Sequence, residues 1–414
     1  MPVITLFSGT FCRKDRIVQG LIDRIGYRLI SDADIISEAS KSCGLHENKI
    51  GRAFSAKTSV FNKFTHERER SITFLKLVLA RILLEDNLLI AGLSGHLIPD
   101  NVSHVLRVCL IADMSSRLSL AEKERGLSKN EAIRLIHGQD EEYAAWVMAL
   151  FNRSDPWDSG LYDMILPTDK MEIDKIISLV QNNVEKDVVQ PTELSESAVK
   201  NFILASEVEA ALVMEGHNTG VKAENGVITL TINKHVLMLS RLEEELKSIA
   251  IKVPGVESVK TRVGPDFHRT DIYRKYDFEI PSKVLLVDDE REFVQTLSER
   301  LLMRDMGSAV AYDGESALEL IKEDEPDVMI LDLRMPGIDG IEVLRRVKAT
   351  QPDIEVIILT GHGSEADKNL CMELGAFDYL QKPVDIDELS ETIKRANEMI
   401  RLRKKDKTQP SKNP

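Results

Sequence analysis

An α/β protein with parallel sheets is what this sequence predicts, and three observations carry the expectation. Short apolar runs alternate with helix-length stretches in both the first and the last part of the chain, the pattern of strand–helix–strand units. In the last part the strands are apolar almost throughout, which requires burial on both faces and so a parallel sheet covered by helices. The 414 residues exceed what a single core of ~250–300 residues holds, so several domains are expected.

The elements follow in order. VITLF is a short buried strand, and DRIVQGLIDRI has helical apolar spacing. A long helix is expected over residues 63–85, strands at NLLIAG and VLRVCLIA, a helix over residues 140–151, and a last short strand at MILPT before EIDKIISLVQNNV. Residues 185–197 form a joint, with one proline and several cap residues but no apolar period. A small αββαβ unit comes next, whose hairpin GVKAENGVITLTI turns at Asn225-Gly226, a pair that tolerates positive φ. A second joint, charged and bounded by prolines, is expected over residues 265–282. Beyond it KVLLVDD, SAVAY, DVMILD, EVIILT and FDYLQ read as five strands, each followed by a helix.

Composition removes several function classes. A net charge of −14 disfavours general nucleic-acid binding, and the one dense basic run, RLRKK, opens what reads as a solvated tail at 402–414. No run approaches the ~20 apolar residues of a membrane span, and the start lacks a basic leader. Four scattered cysteines, Cys12, Cys43, Cys109 and Cys371, form no CxxC pair, which fits a reducing compartment. A cytoplasmic protein without DNA-binding output or membrane span is the expectation.

Chemistry in an open α/β sheet collects outside the carboxyl ends of the strands. There this sequence sets Asp288, Asp289 and Glu290 after the first strand of the last segment, Asp332 after the third, Thr360 after the fourth and Lys382 after the fifth. Converging carboxylates call for a cation, and oxygen-only ligands suit Mg²⁺. One carboxylate can then attack phosphorus, with a hydroxyl and an ammonium holding the phosphoryl oxygens.

VLLVDDE, ILDLRMPGIDG, ILTGHG and DYLQKP together identify this segment, residues 282–401, as resembling a response regulator receiver domain of flavodoxin-like (βα)5 fold. The resemblance implies that Asp332 is the phosphoacceptor, and that Asp288, Asp289, Asp332 and the backbone carbonyl of Arg334 hold Mg²⁺. It further implies that Thr360 and Tyr379 form a switch pair, that Lys382 pairs with the acylphosphate, and that Lys382-Pro383 is cis. A sensor histidine kinase or phosphotransfer protein would be the donor, and a homodimer through the receiver is a further expectation.

The turn after the very first strand, SGTFCRKD, sits where a nucleotide-binding fold cradles phosphates. Aligned to GxxxxGK[ST] on Lys14, the glycine positions hold Ser8 and Arg13 and the hydroxyl position holds Asp15, while Gly9 is one place out of register. RIGYRLISDADII, LLIAGLSGHLI, the stretch from VLRVCLIA to GQDEEY and NRSDPWDSGLYDMILPT nevertheless resemble a cytidylate-kinase-like domain over residues 1–187. That implies a P-loop-kinase-like sheet, Asp32 and Asp34 in the acceptor-nucleotide region, and Arg117, Arg125 and Arg134 as lid arginines. The broken loop leads us to expect a degenerate nucleotide site of Ser8, Gly9, Arg13, Lys14 and Asp15. It would bind a nucleotide or partner without transfer; an active kinase gated by the receiver, or a plain scaffold, are the alternatives. NGVITLTI and VPGVESVKTRV, with Gly255-Val256, resemble a BON domain over residues 196–265, expected to act as an adaptor.

Overall fold

The protein is described here from a computed structural model, which describes residues 2–56, 59–233, 239–265, 283–302, 304, 306–361 and 363–408. By contacts the chain falls into two compact units: Met1–Thr58, Arg68–Asn233 and Ser240–Pro265 form one, and Ser59–Glu67 joins the C-terminal part of the chain in the other.

The first unit opens with β1 (Val3–Ser8), α1 (Lys14–Ile25), β2 (Arg28–Ser31), α2 (Asp32–Cys43) and α3 (Glu47–Gly51). After α4 (Asn62–Thr65), which belongs to the second unit, come α5 (Glu67–Ile82), β3 (Leu88–Ala91), β4 (Val105–Ile111), α6 (Met114–Arg125), α7 (Lys129–Phe151), β5 (Met164–Pro167) and α8 (Ile173–Val184). The five strands pair in parallel in the order β2-β3-β1-β4-β5. Alternation along β1 divides the core. Val3 and Phe7 pack on one face, Ile4 and Leu6 on the other, so both faces are covered by helices, as the apolar runs require.

The αββαβ segment consists of α9 (Glu193–Met214), β6 (Gly220–Glu224), β7 (Val227–Ile232), α10 (Leu239–Ala250) and β8 (Ser258–Val263). Its turn has φ of 46° at Asn225 and 80° at Gly226, the conformation Asn-Gly accepts at little cost. The expected joint at 185–197 narrows to a few residues, because Thr192 caps α9 within it. Nor does that joint separate two cores. Ala198, Val199, Phe202 and Val213 of α9 belong to the same apolar cluster as Val3, Leu75 and Leu88.

The second unit carries β9 (Val284–Val287), α11 (Arg291–Leu302), β10 (Ser308–Ala311), α12 (Gly314–Glu323), β11 (Val328–Leu331), α13 (Gly340–Thr350), β12 (Glu355–Thr360), α14 (Glu365–Glu373), β13 (Asp378–Gln381) and α15 (Ile386–Thr408). All neighbours are parallel in the order β10-β9-β11-β12-β13. Leu285 and Val287 face one layer, Val284 and Leu286 the other. This is the five-strand arrangement expected of a flavodoxin-like domain.

Three expectations need correction. The helix over 63–85 is broken at His66, whose φ of 49° ends α4 before α5 begins. The helix expected over 140–151 begins eleven residues earlier, at Lys129, behind a capping box in which Ser128 and Glu131 satisfy each other's backbone. The tail expected from 402 is helical to Thr408, as the end of α15. The second joint, at 265–282, lies outside the described residues but for Pro265.

Candidate functional site

The rim of the second sheet gathers the side chains that strand order assigned to it. Asp288 and Asp332 are both buried, and each is fixed by backbone: the Asp288 N–H donates to Ala311 O (3.2 Å) and the Asp332 N–H to Val287 O (2.9 Å). One Asp332 oxygen accepts from the Leu333 N–H at 2.7 Å, and Asp288 accepts from the Glu290 N–H at 2.9 Å. Carboxylate oxygens of Asp288, Asp289 and Asp332 lie within 4.8 Å of one another, the one such group of His, Cys, Asp or Glu close enough for a metal among the described residues. Oxygen-only ligands, three acids and two of them buried fit a hard divalent cation such as Mg²⁺. Burial raises the Asp288 pKa, and the Lys382 ammonium offsets that only in part. Arg334 is an exposed residue of the loop that follows Asp332.

Lys382 reaches into this group. Its Nζ lies 2.6 Å from Asp288, 3.1 Å from Glu290 and 3.5 Å from Asp332, and 4.4 Å from the centroid of the Phe293 ring. Burial would lower its pKa, but the carboxylates of Asp288, Asp332 and Glu290 more than offset that and keep it charged. The Lys382-Pro383 peptide is cis. Glu290 was read from sequence only as a third acid at the strand end, not as a partner of Lys382, and Phe293 was not singled out at all. Their signal was available only as an acid and an aromatic close after the paired aspartates.

Two glycines make the site possible. A Cβ on Gly340, the first residue of α13, would stand 2.1 Å from the Asp332 carbonyl oxygen and 2.7 Å from Leu333 Cα. Asp339 caps the same helix by accepting from the Glu342 N–H, so the helix start is pinned against the Asp332 backbone. A Cβ on Gly363 would stand 1.6 Å from the Tyr379 hydroxyl. That hydroxyl is buried, and Thr360, beside Gly363, is fully buried at the end of β12.

In the first unit the turn after β1 takes left-handed backbone at residues other than glycine. Phe11 and Arg13 adopt φ of 59° and 58°, a left-handed conformation costing ~1–2 kcal/mol for a residue with a Cβ. Gly9 is hemmed in: a Cβ there would meet Cys12 Sγ at 3.0 Å and Trp157 at 3.2 Å. Ser8 and Lys14 line a cavity of about 660 Å³ with Asp32, Arg52, Gln139, Glu142 and Tyr143. Lys14 Nζ donates to Ala91 O at 3.4 Å. Neither Arg13 nor Asp15 is part of that lining.

The expected acceptor-region acids have structural partners. Asp32 accepts from the Leu93 and Ser94 N–H groups and the Ser94 hydroxyl at 2.6–2.9 Å, and Asp34 completes the capping box of α2. Arg117 is buried, holding Asp140 through two hydrogen bonds (2.8 and 2.7 Å) and Thr10 O at 2.8 Å. It braces the turn from beneath. Arg125 lies over the Phe11 ring at 5.3 Å.

Residues 284–394 match the response regulator receiver domain family, and residues 3–170 match the cytidylate kinase-like family. The chain is 37% identical over 110 residues to the response regulator MprA of Mycolicibacterium vanbaalenii, covering 27% of this chain and 48% of that protein; it thus spans about half the length of this curated relative. Solved structures similar to it include a response regulator receiver domain protein from Clostridium thermocellum (36% identity, 29% of this chain and 98% of that one, TM-score 0.29). Another is a CheY-like receiver domain protein from Methanospirillum hungatei (23% identity, 30% and 98%, TM-score 0.29). The C-terminal region is a response regulator receiver domain, and the N-terminal region is cytidylate-kinase-like.

Proposed function

We propose that this chain is a two-component response regulator that accepts a phosphoryl group on Asp332 and relays the signal to its N-terminal part or to a partner protein. The observation that carries the reading is Lys382 Nζ set between Asp288 and Asp332, with three carboxylates converging at the same strand ends. An Asp332 carboxylate oxygen forms the new bond to phosphorus as the bond to the donor's leaving group breaks. The donor would be a phosphohistidine of a sensor kinase or phosphotransfer protein, whose imidazole leaves and takes up a proton. Lys382 balances the charge on the phosphoryl oxygens, and the Thr360 hydroxyl donates to one of them. Asp288, Asp289, Asp332 and the Arg334 carbonyl would hold Mg²⁺, which when bound supplies charge neutralisation to acids and phosphate alike.

Phosphorylation would draw Thr360 toward the new group and let Tyr379 follow, shifting α14, β13 and α15 between two populations. A homodimer through this face, a cytoplasmic location and an output without DNA contact belong to the same reading. The BON-like αββαβ segment then serves as an adaptor built onto the first unit. Among the described residues no helix is long and apolar enough to cross a membrane.

The test is intact mass after incubation with Mg²⁺ and acetyl phosphate. Wild type gains one phosphate, and Asp332→Asn gains none; an unmodified wild type, or an equally modified variant, overturns the assignment.

A second reading concerns the first unit: a cytidylate-type kinase under receiver control, against a degenerate fold that binds a nucleotide without transfer. Lys14 in the wall of a nucleotide-sized cavity favours binding, and the left-handed Phe11 and Arg13 favour a site that has lost transfer. Coupled ATP turnover with CMP separates them. Turnover abolished by Lys14→Ala establishes the kinase, whereas binding without turnover supports the degenerate site.

A further inference from the structure

Phe61 lies within the sequence that matches the cytidylate kinase-like family, yet it is a core residue of the second unit. It is fully buried in the cluster that holds Leu285, Met329 and Val347. The segment around it is a turn closed by its own hydrogen bonds. The Phe61 N–H donates to Ser59 Oγ at 3.1 Å, the Thr65 N–H and hydroxyl return to Phe61 O at 2.9 and 3.2 Å, and His66 closes it in the left-handed region.

What the turn meets is a buried cation. Lys283, the residue before β9, exposes 7% of its side chain and donates to Asp324 Oδ1 at 3.0 Å. Its Nζ also pairs with Glu67 and lies 5.6 Å from the Phe61 ring centroid. Burial alone would drive the lysine toward neutrality; Glu67 and Asp324 more than offset this and hold it protonated. A lysine kept charged out of water needs partners with good geometry, and here an aromatic face and a carboxylate come from one nine-residue segment. An apolar anchor in a pocket beside a desolvated charge pair is how short peptides are recognised. Lys283 precedes β9 while Asp332 follows β11, and the two strands run parallel. The peptide therefore sits at the amino ends of the strands, away from the acceptor.

We propose that the amino-terminal edge of the receiver sheet is a docking site for an aromatic-plus-acid peptide, and that Ser59–Glu67 of this same chain is its occupant.

Hydrogen exchange on the full chain tests this. With Phe61→Ala, exchange rises about a hundredfold in residues 59–67 and in β9. Glu67→Gln, which removes one charge and no volume, gives a smaller rise in the same amides and none in β1. Unchanged exchange in residues 59–67 with Phe61→Ala overturns the docking. If that variant loosens β11 and β12 as well, Glu67→Gln decides, and an unchanged pattern there overturns the proposal. Protection of residues 59–67 that depends on protein concentration overturns the assignment in cis, because it identifies a second copy as the source. Acetyl phosphate labelling of the same samples reads the Asp332 assignment separately.

Discussion

The two parallel sheets place their candidate sites at equivalent ends of their strands but build them from different material. At the receiver rim the chemistry is carried by side chains, Asp288, Asp289, Asp332 and Lys382, each leaving a strand end in a fixed direction. In the first unit it rests on backbone, a turn that takes left-handed φ at Phe11 and Arg13. Side chains at strand ends are legible as letters. A backbone conformation is legible only when glycine announces it, and here it persists where glycine is absent.

Four measurements can break or sharpen that contrast. Arg117→Ala leaves Asp140 half-buried without its cation and the Thr10 carbonyl without its donor. A loss of about 3 kcal/mol from the first unit is expected in urea unfolding, with the receiver's transition unmoved. If the turn needs no brace, the loss stays under ~1 kcal/mol.

Acidification should strike the same unit. Burial, with the charge of Arg107, lowers the His96 pKa to about 4, while the unfolded chain binds the proton near 6.5. Stability is therefore fully present above about 6.5 and falls with pH until about 4, by up to ~3 kcal/mol. His96→Gln should flatten that limb, and an unaltered limb assigns it to other groups. In the receiver, Gly340→Ala drives a Cβ against the Asp332 carbonyl and should cost roughly 1–3 kcal/mol, with slower acetyl phosphate labelling. Labelling at the wild-type rate would show that the helix start and the acceptor move independently. The smallest effect is expected from Arg13→Gly. Relief of the left-handed strain against the added chain entropy of glycine gives a gain of about 1 kcal/mol or less; a loss would mean the arginine side chain itself holds the turn.

How much could be read in advance follows the same division. The strands of both sheets except β2, whose RLIS buries only Ile30, and the rim residues were evident from apolar runs and from the acids, hydroxyl and lysine at the strand ends. The pairing of Lys382 with Glu290 and Phe293 was not, because it joins residues some ninety positions apart. The break at His66 was hidden by a helical apolar period that runs across it. By contrast the early start of α7 carried a visible signal, the Ser128–Glu131 box. The merging of α9 into the first core was invisible for another reason: an apolar helix face does not say which sheet it will cover.

The last helix of the receiver converts these local contacts into reach. Asp378, next to Tyr379 on β13, is tied to Arg395 on α15 at 2.6 Å, and farther along Arg403 pairs with Glu355 at the start of β12. With 23 residues, α15 is about 35 Å long. Pivoting at Arg395, where β13 grips it, a tilt of about ten degrees would carry the far end, about 20 Å away, through roughly 3 Å. The Arg403–Glu355 pair ties the far part of α15 back to the start of β12, so any such tilt would stretch or break it.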